Sequence, residues 1–132
     1  MPVQYALMST RARDFTMVFV MAANENEAGR IARALVEEKL AACVNIVGPV
    51  RSTYRWRGAI EQASEFMLVI KAPMRSFSKV ERKVRELHSY EVPEIVAVTL
   101  AAGSKPYVAW LAESTQAAPS VSPQSRRRGV RT

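Results

Sequence analysis

Cysteine, histidine and long apolar runs are what this chain has least of. One cysteine, Cys43, and one histidine, His88, stand among 132 residues. A lone cysteine excludes an intramolecular disulfide and suits a reducing compartment. A lone histidine without a serine elbow leaves no hydrolase triad of the usual form. The five glycines form no phosphate loop, and neither CxxC nor HExxH occurs. A non-enzymatic protein is therefore expected. No apolar run approaches the ~20 residues of a membrane span. Arg11 to Ala23 echoes a signal peptide only in outline, because cleavage there would discard what reads as the first strand. The expected location is the cytoplasm, with no membrane partner.

Acidic residues are absent from both ends of the chain, and this explains its formal net charge of +7. Arg11 and Arg13 lie at one end; Arg126, Arg127, Arg128 and Arg131 lie at the other. Residues 14–116 hold 13 basic and 12 acidic side chains, so the folding part is nearly neutral. No specific nucleic-acid partner follows from basicity confined to the ends, although arginine clusters attract phosphates non-specifically. Three segments are expected: a flexible 1–13, a domain over 14–116 and a disordered basic tail over 117–132 with little apolar content to bury.

Within the domain the pattern reads strand, helix, strand, strand, helix, strand, helix. Phe15 to Ala22 is a near-continuous apolar run. Asn24, with Glu27 three residues on, signals a capped helix start. Ala28, Ile31, Ala32, Leu35, Val36 and Leu40 then recur on one helical face. Cys43 to Trp56 is extended but bent near Gly48-Pro49. Arg57-Gly58-Ala59 turns into a return strand, Ile60 to Lys71. Pro73 pre-sets a second helix carrying Phe77, Val80, Val84 and Leu87. Glu94 to Leu100 is the fourth strand. Ser104 caps a last helix packing through Tyr107, Val108, Trp110 and Leu111. This order predicts an α+β, ferredoxin-like βαββαβ sandwich with an additional C-terminal helix. Its strands, with Val18, Val20, Val44, Ile46, Val69 and Val96, are too apolar on both faces for open solvent, which predicts oligomerisation through the sheet.

Five ordered blocks carry a family resemblance: Ala41-Ala42-Cys43-Val44-Asn45-Ile46; Ser52-Thr53-Tyr54-Arg55-Trp56-Arg57-Gly58 with Glu61; Lys71; His88 to Ile95; and Tyr107-Val108-Ala109-Trp110-Leu111. In order and spacing the chain resembles the CutA divalent-cation tolerance proteins over about residues 15–114. The resemblance implies a homotrimer, similar in architecture to the PII signalling proteins, acting in tolerance of copper and other divalent ions without an established reaction. Copper or another divalent cation is the implied ligand, one that folding does not require; the protein partner is unknown. The family's copper positions fall on Met21, Leu87 and His88, where relatives carry a cysteine and paired histidines. Ser89 stands where the family usually has proline, so the helix before it is expected to run further and turn the imidazole. By motif match, Cys43, Tyr54, Trp56, Glu61, Lys71, Tyr90 and Glu91 fall at an inter-subunit cleft.

Each candidate has a plainer reading beside it. His88 serves either as a copper or zinc ligand or as a hydrogen-bonded structural histidine. Met21 offers a soft thioether or simple packing. Cys43 is a small hydrophobe unless a cation activates it. Lys71 can hold an anion or pair with Glu61 or Glu91, and Trp56 and Tyr90 suit a trimer interface. Three functions stand: a metal-tolerance trimer, a PII-like sensor of a small anion or nucleotide, or a structural interaction protein whose trimer displays its tails.

Overall fold

Strand β1 (Phe15–Ala22) is the spine of the molecule, paired antiparallel on both sides. The computed structural model describes residues 10–116. A short 3₁₀ turn over Ala12–Asp14 precedes β1, so ordered structure starts within the stretch expected to be flexible. The basic tail lies outside the described residues. Helix α1 (Glu25–Glu37), strands β2 (Cys43–Trp56) and β3 (Ala59–Pro73), helix α2 (Phe77–Leu87), strand β4 (Ile95–Thr99) and helix α3 (Lys105–Ser114) follow. The sheet order is β2-β3-β1-β4, the split βαβ arrangement expected of a ferredoxin-like sandwich.

The core lies between the sheet and the two longer helices. Val18, Val20, Leu68 and Ile70 from the strands meet Ala28, Ile31 and Leu35 of α1 and Val80 and Val84 of α2. Alternation sends the other strand residues to the opposite face. Cross-strand partners place Met17, Phe19, Met21, Met67, Val69, Val96 and Val98 there, with Val47 at the β2 edge. Val47, Val96 and Val98 are about half exposed, and among the described residues only the last helix, packed on Phe15 at one end, covers part of that face.

Three helical expectations need correction. Val36 sits at the margin of the α1 stripe and is exposed, while Ala28, Ile31 and Leu35 alone are fully buried. In α3 only Val108 and Leu111 are buried, against Phe15; Tyr107 and Trp110 face outward, ring centroids 5.6 Å apart. Pro73 also ends β3 and precedes a 3₁₀ turn, so α2 begins later, at Phe77.

A bulge in β2 decides which residues reach the open face. Val47 pairs with Met67 and Val50 with Glu65, so Gly48 and Pro49 together oppose Phe66. The extra residue flips the alternation. Cys43, Asn45 and Val47 face the open side before it; Val50, Ser52, Tyr54 and Trp56 do so after it. Gly48 is required by close approach, since a Cβ there would lie 2.3 Å from the Phe66 ring. The hairpin closes through Arg57 and Gly58, both at positive φ, the geometry of a two-residue type I′ turn.

Candidate functional site

A chain of hydrogen bonds runs from the start of α1 to the long hairpin, and it begins with Glu27. Asn24 Oδ1 caps α1 by accepting from the Glu27 N–H at 2.8 Å. The Glu27 carboxylate reaches past its own cap: Oε2 accepts from Ala23 N at 3.1 Å and Oε1 from Ser89 N at 3.1 Å. Burial pushes this carboxyl up, but hydrogen bonds from Ser89 and Ala23 and the nearby His88 outweigh it and hold the group below the usual range.

His88 follows the last turn of α2, its backbone already extended. The helix therefore stops at Leu87 despite the serine, a correction to the expected extension. The backbone N–H that Ser89 keeps, and proline would lack, goes to Glu27. The His88 side chain is wholly buried. Its Nε2 lies 2.7 Å from the Met21 carbonyl oxygen, which can only accept, so Nε2 carries the proton. Nδ1 accepts from Tyr90 N at 3.0 Å and faces Glu27 Oε2 at 3.4 Å. Both ring nitrogens are thus occupied by protein groups. His88 and Met21 do meet, but through the methionine carbonyl.

Tyr90 carries the chain outward. Its ring lies 4.7 Å from the imidazole, and its hydroxyl donates to Glu65 Oε2 at 2.8 Å. Burial and that carboxylate push the Tyr90 hydroxyl well above its ordinary pKa. Beyond it opens a cavity of about 650 Å³, walled by the hairpin, the end of β1 and the segment before β4. Met21, Tyr54, Trp56, Glu61, Tyr90 and Glu91 of the expected site all line it.

Cys43 and Lys71 do not join them. They are cross-strand partners at the far end of the sheet. Lys71 Nζ donates to Asn45 Oδ1, and the Cys43 thiol lies 3.8 Å from the same oxygen. The expected pairing of Lys71 with Glu61 or Glu91 is absent within this chain, because the register sets Lys71 opposite Met17 and Cys43 instead. Sequence reasoning missed Glu65 and gave Glu27 only a cap. Glu65 had a signal, being the carboxylate that directly adjoins Met67 and Val69 in their β3 column, two pairs from Glu61. Among the described residues no group of three or more His, Cys, Asp or Glu side chains is placed to hold a metal ion.

The fold and this site together define an α+β sandwich of the ferredoxin-like class, with an acidic, aromatic cavity at one end of a largely uncovered sheet face. The family model of the CutA1 divalent ion tolerance protein matches residues 16–114, and the chain belongs to that family. It is 46% identical over 99 residues to a divalent-cation tolerance protein CutA of Thermus thermophilus, covering 75% of this chain and 96% of that one. It is 41% identical over 98 residues to human protein CutA, covering 74% of this chain but 55% of the human protein, so it spans about half the length of that relative. Among solved structures, CutA from Archaeoglobus fulgidus, described as periplasmic, aligns at a TM-score of 0.75 with 38% identity, covering 77% of this chain and 99% of that one.

Proposed function

We propose that this protein acts without catalysis in divalent-cation tolerance, as a cytoplasmic homotrimer, and that the hairpin cavity is where it meets cations. One observation carries the reading: every acidic or basic side chain lining the cavity is a carboxylate, namely Glu61, Glu65, Glu91 and Glu94. Such a lining concentrates cations, and carboxylate oxygens are ligands for divalent ions. It disfavours the anion or nucleotide of the PII-like alternative. The names of the bacterial relatives support the tolerance role. The scarcity of cysteine supports a reducing compartment, and the largely uncovered apolar face supports assembly.

Copper is the finer reading. Met21 lines the cavity and offers a soft thioether suited to Cu(I). His88 joins it as a ligand only by exchanging its Tyr90 hydrogen bond for the metal. Calorimetric titration with Cu²⁺, Zn²⁺ and Mn²⁺ tests the proposal. A Glu91→Gln/Glu94→Gln double variant is expected to weaken binding at least tenfold, the equivalent of about 1.4 kcal/mol. Undiminished affinity in that variant, or no binding by the unmodified protein, would overturn it. A His88→Asn variant separates the two readings, because loss of copper binding alone assigns the imidazole to the metal.

A further inference from the structure

The domain is nearly neutral, but its charge is unevenly spread. Four carboxylates gather at the hairpin cavity, while the helix layer on the other side of the sheet carries cations without partners. Val80 and Val84 turn one face of α2 into the core. Arg75, in the turn before α2, and Lys79 and Arg82 within it stand at i, i+4 and i+7, the spacing of one helical face, and all three are exposed. The carboxylates that could neutralise them are engaged elsewhere. Glu37 pairs with Arg33 at 2.8 Å, Glu38 and Glu86 with Lys83 at 3.0 and 3.2 Å, and Glu81 with Arg85 at 3.4 Å. Among the described residues Arg75, Lys79 and Arg82 enter no ion pair. Glu25, the remaining exposed carboxylate of the two helices, begins α1, at the end that meets Ser89 beyond the close of α2.

We propose that this stripe of Arg75, Lys79 and Arg82 binds a linear polyphosphate chain, a flexible polyanion held by its charge alone. Assembly leaves the stripe free, because α1 and α2 cover the sheet face opposite the one assigned to the trimer. With the sheets turned toward a shared axis, three stripes point away from it on the outer surface. A flexible chain can join them and gain affinity from each added contact, whereas a flat bilayer meets one at a time. The stripe also lacks what other polyanion readers use. Proteins that hold single-stranded nucleic acid stack its bases on aromatic rings, and helices that lie in a bilayer surface bury an apolar face there. The apolar residues of α2, Phe77, Val80, Val84 and Leu87, all pack on the core and supply neither. Free lysine and arginine side chains in a row instead suit bare phosphates, whose counterions they release. This role uses the far side of the sheet from the cation cavity and stands without it.

Fluorescence anisotropy of end-labelled long-chain polyphosphate with the full-length protein tests it, in EDTA so that no divalent ion bridges phosphates to the cavity carboxylates. Binding is expected at low salt and should weaken steeply between about 50 and 200 mM. An Arg75→Gln/Lys79→Gln/Arg82→Gln variant is expected to bind at least about tenfold more weakly. Its slope of log affinity against log salt should shrink by about 2, the share of three phosphate contacts on a single chain. The urea melt of that variant should match the unmodified protein, since only exposed side chains without partners change. An Arg126→Gln/Arg127→Gln/Arg128→Gln background removes the tail's own attraction for phosphate, and the helix variant should lower affinity and slope there as well. No binding by the unmodified protein, or undiminished affinity and slope in the helix variant, overturns the inference. Tighter binding to poly(U) RNA or to phosphatidylserine vesicles at equal salt also overturns it, assigning the stripe to a nucleic acid or a membrane.

Discussion

Glu27 shows how one buried side chain fixes several elements at once. It is 3% exposed, yet its carboxylate ties the end of β1 to the start of α1 and to the segment after α2. Its pKa is depressed in the folded protein, whereas an unfolded glutamate titrates near ~4.3. The stabilisation is thus fully present above that value and is lost as pH falls through the lower folded value, because the unfolded chain takes up the proton first. Glu27→Gln is expected to cost ~1–3 kcal/mol at pH 7, the penalty of disturbing a buried hydrogen-bonded group. It should also flatten the fall in stability as pH drops below the unfolded value of ~4.3. Urea melts at several pH values check both parts. A variant that loses stability with acid as steeply as the unmodified protein would remove Glu27 from this role. Sequence showed the local half of the residue, its spacing from Asn24. The other half depends on a partner 62 residues away, which no local pattern encodes.

At the scale of elements, the end of α1 offers the cleanest test. Lys39 N donates to Val36 O and Leu40 N to Leu35 O, the paired bonds of a Schellman cap. Lys39 holds the left-handed position at φ 60°, where a Cβ is strained and glycine is not. Lys39→Gly is expected to raise stability by roughly 0.5–1 kcal/mol in urea melts, since the relief of strain outweighs the entropy glycine adds to the unfolded chain. A loss of stability would show that lysine's own packing matters more. Most elements were legible because periodicity and punctuation agree. Phe15–Ala22 is apolar but for Thr16, Asn24 and Ser104 cap their helices, and Arg57-Gly58 turns the hairpin. The cavity was only partly legible. Tyr54, Trp56, Glu61, Tyr90 and Glu91 came from motif blocks, but their gathering depends on the one-residue bulge at Gly48-Pro49, which sets the face that Tyr54 and Trp56 occupy. The same register carries Lys71 to the other end, so a pairing inferred from charge alone failed.

At the scale of the whole molecule, the sheet decides the outcome. The helix-covered face holds Val18, Val20, Leu68 and Ile70 in the core, and the opposite face presents Met17, Phe19, Met67, Val96 and Val98 with only α3 as a cover at one end. Burying such surface gains roughly 25 cal/mol per Å² of apolar area, so association couples to folding and thermal unfolding should depend on concentration. Both free edges, β2 and β4, lie beside that face and remain open for pairing. The central claim is that this face is an interface among three copies. Sedimentation equilibrium at micromolar concentration tests it most directly: the account predicts one species at three times the 14.7 kDa chain mass, whereas a single-chain mass under the same conditions would contradict it.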